Sequence, residues 1–319
     1  MKSYNKNDLA VIANRTGFIR DNLEKVIRLS DILNAFYTND VLKSSLVLKG
    51  GTAINLTVFN MPRLSVDIDL DFCKDVDRDG MLSERVGITE CVNRIMVERG
   101  YALSPHSKEP HSLDSWVYEY TNMGGNKDVI KIEINYSMRC HVLPYVTKLV
   151  GVDYLEPFDV VSLHPMELFG SKIKAMIERG ACRDLYDVNN MINSGLFDSV
   201  EEKDLLRKIV IWYMCVGGVS VLSNEIDLSK IRKMSFPKIR SQLNPVLKKT
   251  ERFDFEQAKN RVCDYVTELM KPTRSEAQFI ENFSGGKFVP ELLFEDEEIV
   301  KRISNHPMAQ WKIKNLLQK

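Results

Sequence analysis

No run in this sequence approaches the ~18 apolar residues that a membrane-spanning helix needs, and its start, MKSYNKNDLA, is too polar for a secretory signal. Charge of neither sign predominates. Lys and Arg total 44, as do Asp and Glu, so no global basic field marks a nucleic-acid binder and any such surface must be local. The six cysteines (Cys73, Cys91, Cys140, Cys182, Cys215, Cys263) are scattered without a Cys-x-x-Cys pair, and they read as reduced structural residues of a cytoplasmic protein. The five histidines are dispersed too, which argues against a zinc hydrolase or a histidine-liganded phosphodiesterase; His111, His141 and His164 read as packing or surface residues. Repeats and low-complexity segments are also lacking. What remains is an ordinary globular composition, 44% hydrophobic and 28% charged over 319 residues, enough for one large or two moderate domains.

The most informative stretch runs from Lys49 to Asp71, KGGTAINLTVFNMPRLSVDIDLD. Asp67, Asp69 and Asp71 alternate with Val66, Ile68, Leu70 and Phe72, which predicts a strand with three carboxylates on one face and apolar side chains on the other. Neighbouring carboxylates repel, and a divalent cation between them is the simplest resolution away from open water; oxygen-only ligands suit a hard ion such as Mg²⁺. Upstream, Gly50 and Gly51 follow the apolar run Leu46-Val47-Leu48, so the backbone can turn sharply and approach a ligand, and TAINLTVF begins a helix whose N-terminal N–H groups favour phosphate. Singly, a Gly-Gly is a turn and an alternating acidic strand is a solvated sheet face. Together they describe a site for a metal-bound nucleoside triphosphate.

Further candidates lie downstream. In ELFGSKIKAMIERG, Leu168, Ile173, Met176 and Ile177 form an apolar stripe, and Lys172 sits beside it, able either to reach inward or to snorkel to the surface. Asp184 and Asp187 share one face of the next helix with Arg183 adjacent, a pattern that also suits acids favoured by the macrodipole at a helix start. On the strand VIKIEINY, Glu133 is central on a polar face and is either a third metal ligand or an exposed strand residue.

The elements K-G-G-T and R-x-S-x-D-I-D-L (Arg63, Ser65, Asp67, Ile68, Asp69, Leu70) resemble the AbiEii/AbiGii nucleotidyltransferase toxins, which share the DNA polymerase β-like core. LFGSKIKAMIERGACRDLYDV resembles that family's later motifs, Lys172 falling on its lysine and Arg183, Asp184 and Asp187 on its R-D-x-x-D; residues 40–195 carry the match. The resemblance implies an α+β fold with a mixed sheet flanked by helices. It implies transfer of a nucleoside monophosphate from a nucleoside triphosphate, with two Mg²⁺ ions at Asp67, Asp69 and Glu133. Gly50, Gly51 and Thr52 would hold the phosphates, and Lys172 would neutralise their charge. Asp184 and Asp187 would position Lys172 or Arg183, or Asp187 would assist acceptor deprotonation. Arg63 and Ser65 would contact the nucleotide or brace the loop, and Asp71 would lie outside the metal shell. Toxins of this kind act in toxin–antitoxin and phage abortive-infection systems beside a separately encoded antitoxin, some of them on transfer RNA ends, so an RNA acceptor is expected. Nucleotidylation of a protein or small-molecule hydroxyl, or a non-catalytic nucleotide-binding module, are the alternatives.

Periodicity predicts two N-terminal helices broken near Thr16-Gly17, strands at 46–48, 101–105, 115–122, 129–136 and 158–162, and helices at 83–99 and from Pro165. Helical patterns at 201–216, 255–270 and 291–304 predict a mainly helical C-terminal lobe, residues 199–319, after a nucleotidyltransferase domain of residues 1–198. From Ser229 to Thr250, seven Lys and Arg occur without an acidic residue, which suits an RNA backbone, an acidic partner or a solvated helix face; Met234, Phe236, Ile239, Leu243 and Val246 suggest core packing as well.

Overall fold

A computed structural model describes residues 4–217 and 226–317; Met1–Ser3 of the polar start lie outside it. Two compact units emerge, the first from residues 1–139, 145–163 and 244–251, the second from residues 140–144, 164–243 and 252–319.

The first unit carries the sheet. Helices α1 (Lys6–Thr16), α2 (Arg20–Thr38) and α3 (Asp40–Ser45) lead into β1 (Leu46–Lys49). The expected break falls at Gly17, whose φ of 79° makes it a left-handed C-cap for α1. After β1 comes the short helix α4 (Gly50–Ala53), continued as a π-turn over Ile54–Val58, then β2 (Asp67–Phe72), α5 (Arg78–Glu98), β3 (Ala102–Leu103), β4 (Leu113–Thr121), β5 (Lys127–Asn135), β6 (Val146–Val150) and β7 (Phe158–Ser162). The seven strands form one mixed sheet in the order β3-β4-β5-β2-β1-β7-β6. Strand β2 is central, antiparallel to β1 and parallel to β5. Sequence periodicity misses β6 because it is an edge strand paired with β7 alone, and Lys148 and exposed Leu149 leave it without a clean buried face.

Register explains the polarity of the central strands. Ile68 pairs with Ile132 and Leu70 with Ile134, and all four are fully buried. A slip of β2 by one residue would turn Ile68 and Leu70 to the polar face and bury carboxylates in their place, so the apolar pattern fixes which side chains share the acidic face. The hairpin between β4 and β5 closes where Asn122 Oδ1 accepts the N–H groups of Gly124 and Asn126, each at 2.9 Å.

The second unit is helical throughout its described secondary structure: α6 (Pro165–Arg179), α7 (Cys182–Asn193), α8 (Val200–Gly217), α9 (Ser229–Arg232), α10 (Phe236–Gln242), α11 (Phe255–Leu269), α12 (Arg274–Ser284), α13 (Glu297–Ile303) and α14 (Pro307–Leu317). The division expected at 198/199 falls inside this unit, between α7 and α8. Helices α6 and α8 approach so closely that a Cβ on Gly170 would lie 2.4 Å from Ile209 Cγ2. Helix α12 starts with a capping box in which Thr273 and Glu276 satisfy each other's backbone N–H groups, a signal written in the sequence as T-x-x-E. No helix among the described residues is long and apolar enough to cross a membrane.

Much of the basic 229–250 segment has structural partners. Lys230 and Lys238 donate to the carbonyls of Glu178 and Gly180 at the C-terminal end of α6, where a helix favours cations. Lys248 lies over the Phe18 ring at 5.7 Å. Met234, Ile239, Leu243 and Val246 are buried as expected, whereas Phe236 is 65% exposed: it opens α10 with its side chain toward solvent.

Candidate active site

The turn after β1 and the acidic face of β2 are built against each other. Gly50 has φ +70°, and a Cβ there would fall 2.3 Å from Asp69 Oδ2. Only glycine lets the backbone sit this close to that carboxylate. A Cβ on Gly51 would meet Arg63 Nη2 and Ser65 Oγ, each at 2.9 Å. The sequence pattern assigns these glycines to a close approach of a ligand; the turn also makes a close approach to Asp69, Arg63 and Ser65.

Thr52 is buried, and its hydroxyl donates to the backbone carbonyl of Asp67 at 2.5 Å. It pins the turn to the first residue of β2. Arg63 is fully buried and donates from Nη1 to the carbonyl of Leu64 at 2.8 Å, while its own backbone bridges to Leu247. Those contacts brace the loop. Asp71 is buried and takes the Lys49 ammonium at 2.5 Å, so the third carboxylate of the strand is neutralised by the last residue of β1.

Asp67, Asp69 and Glu133 share the face, with Asp69 the register partner of Glu133 and Asp67 that of Lys131. All are partly exposed. Oxygen-only donors on adjacent strands ~4.8 Å apart have the chemistry of a Mg²⁺ site. Among the described residues, no three His, Cys, Asp or Glu are gathered tightly enough to hold a metal ion. Glu133 instead accepts from Lys131 Nζ at 2.9 Å and from Ser115 Oγ at 3.1 Å. Burial pulls the Lys131 ammonium down, but the Glu133 hydrogen bond and the charges of Glu133, Asp67 and Asp69 more than offset this and leave its pKa raised. Lys49 opens the K-G-G-T motif, but neither it nor Lys131 is marked by the sequence as the partner of a carboxylate. A signal for the Lys131 pairing is present, since Lys131 is two residues from Glu133 on the same strand face, whereas the meeting of Lys49 with Asp71 depends on the pairing of β1 with β2.

In the second unit, Lys172 lies on the inner side of α6, 7% exposed. Its ammonium pairs with Asp184 Oδ1 at 3.0 Å and Asp187 Oδ2 at 3.3 Å on α7, so it reaches inward and is not a snorkelling surface lysine. Arg179, at the end of α6, grips Asp184 through Nε at 2.7 Å and Nη2 at 3.0 Å. Burial would raise the Asp184 carboxyl, yet Lys172 and Arg179 outweigh it and hold its pKa below the usual value. Arg183 donates to the Gln242 carbonyl at 3.0 Å. One buried carboxylate here has no signal in the sequence: Glu167 accepts the N–H groups of Val142 and Leu143 at 2.8 and 2.9 Å and the Tyr213 hydroxyl at 2.8 Å. It fixes the 140–144 segment to α6 and α8.

Comparison with known proteins follows the same lines. Residues 31–262 match the family model described as nucleotidyl transferase AbiEii toxin, type IV toxin–antitoxin system. No curated protein matches. Among solved structures, MenT4, a nucleotidyltransferase toxin from Mycobacterium tuberculosis H37Rv, is similar in fold at a TM-score of 0.61 and 16% identity, over 98% of this chain and 99% of that one. The family match spans well over half of the chain and takes in the KGGT turn, the acidic strand, Lys172 and the Asp184–Asp187 pair. The chain belongs to the AbiEii family of nucleotidyltransferase toxins of type IV toxin–antitoxin systems.

Proposed function

We propose that this toxin transfers a nucleoside monophosphate from a nucleoside triphosphate to an acceptor hydroxyl, releasing pyrophosphate, and that the acceptor is a tRNA-like RNA in the cytoplasm. The observation that carries the reading is the glycine turn packed directly on Asp69, beside Asp67 and Glu133 on one sheet face. Such an arrangement brings backbone N–H groups, which bind phosphate, next to carboxylates, which bind a divalent cation.

Asp67, Asp69 and Glu133 would hold Mg²⁺, two ions in the full complex. When bound, the metal would neutralise the triphosphate and acidify the acceptor hydroxyl. Gly50 and Gly51 offer N–H groups to phosphate oxygens. Thr52 acts through the Asp67 carbonyl and Arg63 through the loop it braces, so both are positioning residues in this scheme, with Ser65 beside them. By the family motif on which it falls, Lys172 would neutralise charge on the phosphates. Asp184 and Asp187 orient that ammonium. Family membership supplies the expectation of a separately encoded antitoxin that restrains the activity.

The test is incubation with each α-³²P-labelled nucleoside triphosphate, Mg²⁺ and total bacterial RNA, beside Asp69→Ala. Label in a discrete RNA band with the wild type alone is expected. Label on protein instead would replace the acceptor, and no label on either would leave a nucleotide-binding module.

A further inference from the structure

Glu133 is the register partner of Asp69, yet its carboxylate is engaged by a lysine from its own strand. Lys131 Nζ lies 2.9 Å from Glu133 Oε1, and Lys131 is itself the register partner of Asp67. The ammonium therefore stands on the acidic face beside all three carboxylates proposed to hold metal. Lys49, the register partner of Asp69 on the other side, is paired to Asp71. Ser115 steadies Glu133 from β4 but brings no charge. A face carrying three carboxylates in adjacent positions is self-repelling, and one fixed cation relieves part of that repulsion before any ligand arrives. A divalent cation that ligates Glu133 would lie within a few ångströms of the Lys131 ammonium, and repulsion between the two cations weakens the Lys131–Glu133 pair. The lysine is 40% exposed at its side chain, so its flexible stem can swing once released.

We propose that Lys131 is an internal counter-ion which a divalent cation displaces from Glu133, and that the released ammonium then turns to the phosphates of the incoming nucleoside triphosphate. This inference rests on the nucleotidyltransfer reading and adds a coupling between its two ligands. With Glu133 occupied by Lys131, metal alone binds weakly. With nucleotide present, the lysine has a second anionic partner and the same metal binds better. Thermodynamic reciprocity requires the metal to raise nucleotide affinity by the same factor. Lys131 is thus a positioning residue toward the metal and a binding residue toward the nucleotide.

The experiment measures Mn²⁺ binding to the full chain by calorimetry or electron paramagnetic resonance, and the binding of a non-hydrolysable nucleoside triphosphate analogue at saturating Mn²⁺. Wild type, Lys131→Gln, Lys131→Arg and Asp69→Ala are compared, with circular dichroism as the folding check. Lys131→Gln is expected to bind Mn²⁺ alone roughly three- to tenfold more tightly and the analogue several-fold more weakly, an opposition of sign that general damage to the sheet does not produce. Lys131→Arg keeps the charge and should follow the wild type. Equal Mn²⁺ affinity in wild type and Lys131→Gln, with binding abolished in Asp69→Ala, would overturn the counter-ion role and leave the metal site standing. Unchanged analogue affinity would overturn the transfer of Lys131 to phosphate. Absence of Mn²⁺ binding in every variant would remove the metal reading itself and this proposal with it.

Discussion

Replacing Gly50 by alanine tests the construction of the site with a single methyl group. Two costs follow from the geometry. At φ +70° an L side chain is strained by about 1–2 kcal/mol. The new Cβ would also lie 2.3 Å from Asp69 Oδ2 and 3.0 Å from Asp69 Cβ and Cγ, so the carboxylate must leave its place, at a further ~0.5–1.5 kcal/mol for an unfavourable rotamer. The sum, about 1.5–3.5 kcal/mol, corresponds to a fall in Tm of roughly 3–14 °C for a domain of this size. On the proposed role of Asp69, function should suffer more than stability, because moving a catalytic carboxylate by about 1 Å costs on the order of 100-fold in rate. Gly125 supplies the control. It has φ +86° in the hairpin turn, with nothing within 4 Å of an added methyl, so Gly125→Ala carries the backbone strain without the collision. Nucleotidyl transfer and thermal melting are measured on both variants. If Gly50→Ala transferred nucleotide within a few-fold of Gly125→Ala at matched stability, the claim that this turn positions Asp69 would be wrong.

Other perturbations probe the remaining parts. Asp184→Asn removes a buried partner of Lys172 while Asp187 remains, and should cost on the order of 3 kcal/mol in urea unfolding at neutral pH. Because the Asp184 carboxyl is held below its unfolded value, its contribution is full above about pH 4 and is lost as pH falls through the lower folded value; the stability gap between wild type and Asp184→Asn should therefore close only on strong acidification. Gly170→Val would force α6 from Ile209 on α8 and lower stability by about 1–3 kcal/mol, seen as an earlier melt. Ile132→Ala, beneath the acidic face and paired with Ile68, should cost about 2–5 kcal/mol in the same measurement.

The alternation of Asp67, Ile68, Asp69 and Leu70 is sufficient to define a strand and its two faces, since period-2 geometry leaves no other way to bury Ile68 and Leu70 together. The KGGT and R-D-x-x-D motifs are enough to name the family. Helix ends at Gly17 and Pro165 are readable from residues with restricted backbones. Helix α12 carries a T-x-x-E box at its start, but its apolar positions Phe279 and Phe283 mark so short a stripe that periodicity alone does not reveal it.

What no local pattern contains is partner choice. Lys49 meeting Asp71 and Thr52 donating to Asp67 follow from which strand lies beside which. The same holds for Lys172, whose apolar stripe leaves open whether it reaches inward or outward until α7 brings two carboxylates to it. Spacing along the chain decided which chemical groups this protein has and the face each one occupies. Hydrogen bonds and ion pairs between segments distant in sequence decided which of those charges are already matched, and only the folded chain brings such segments together.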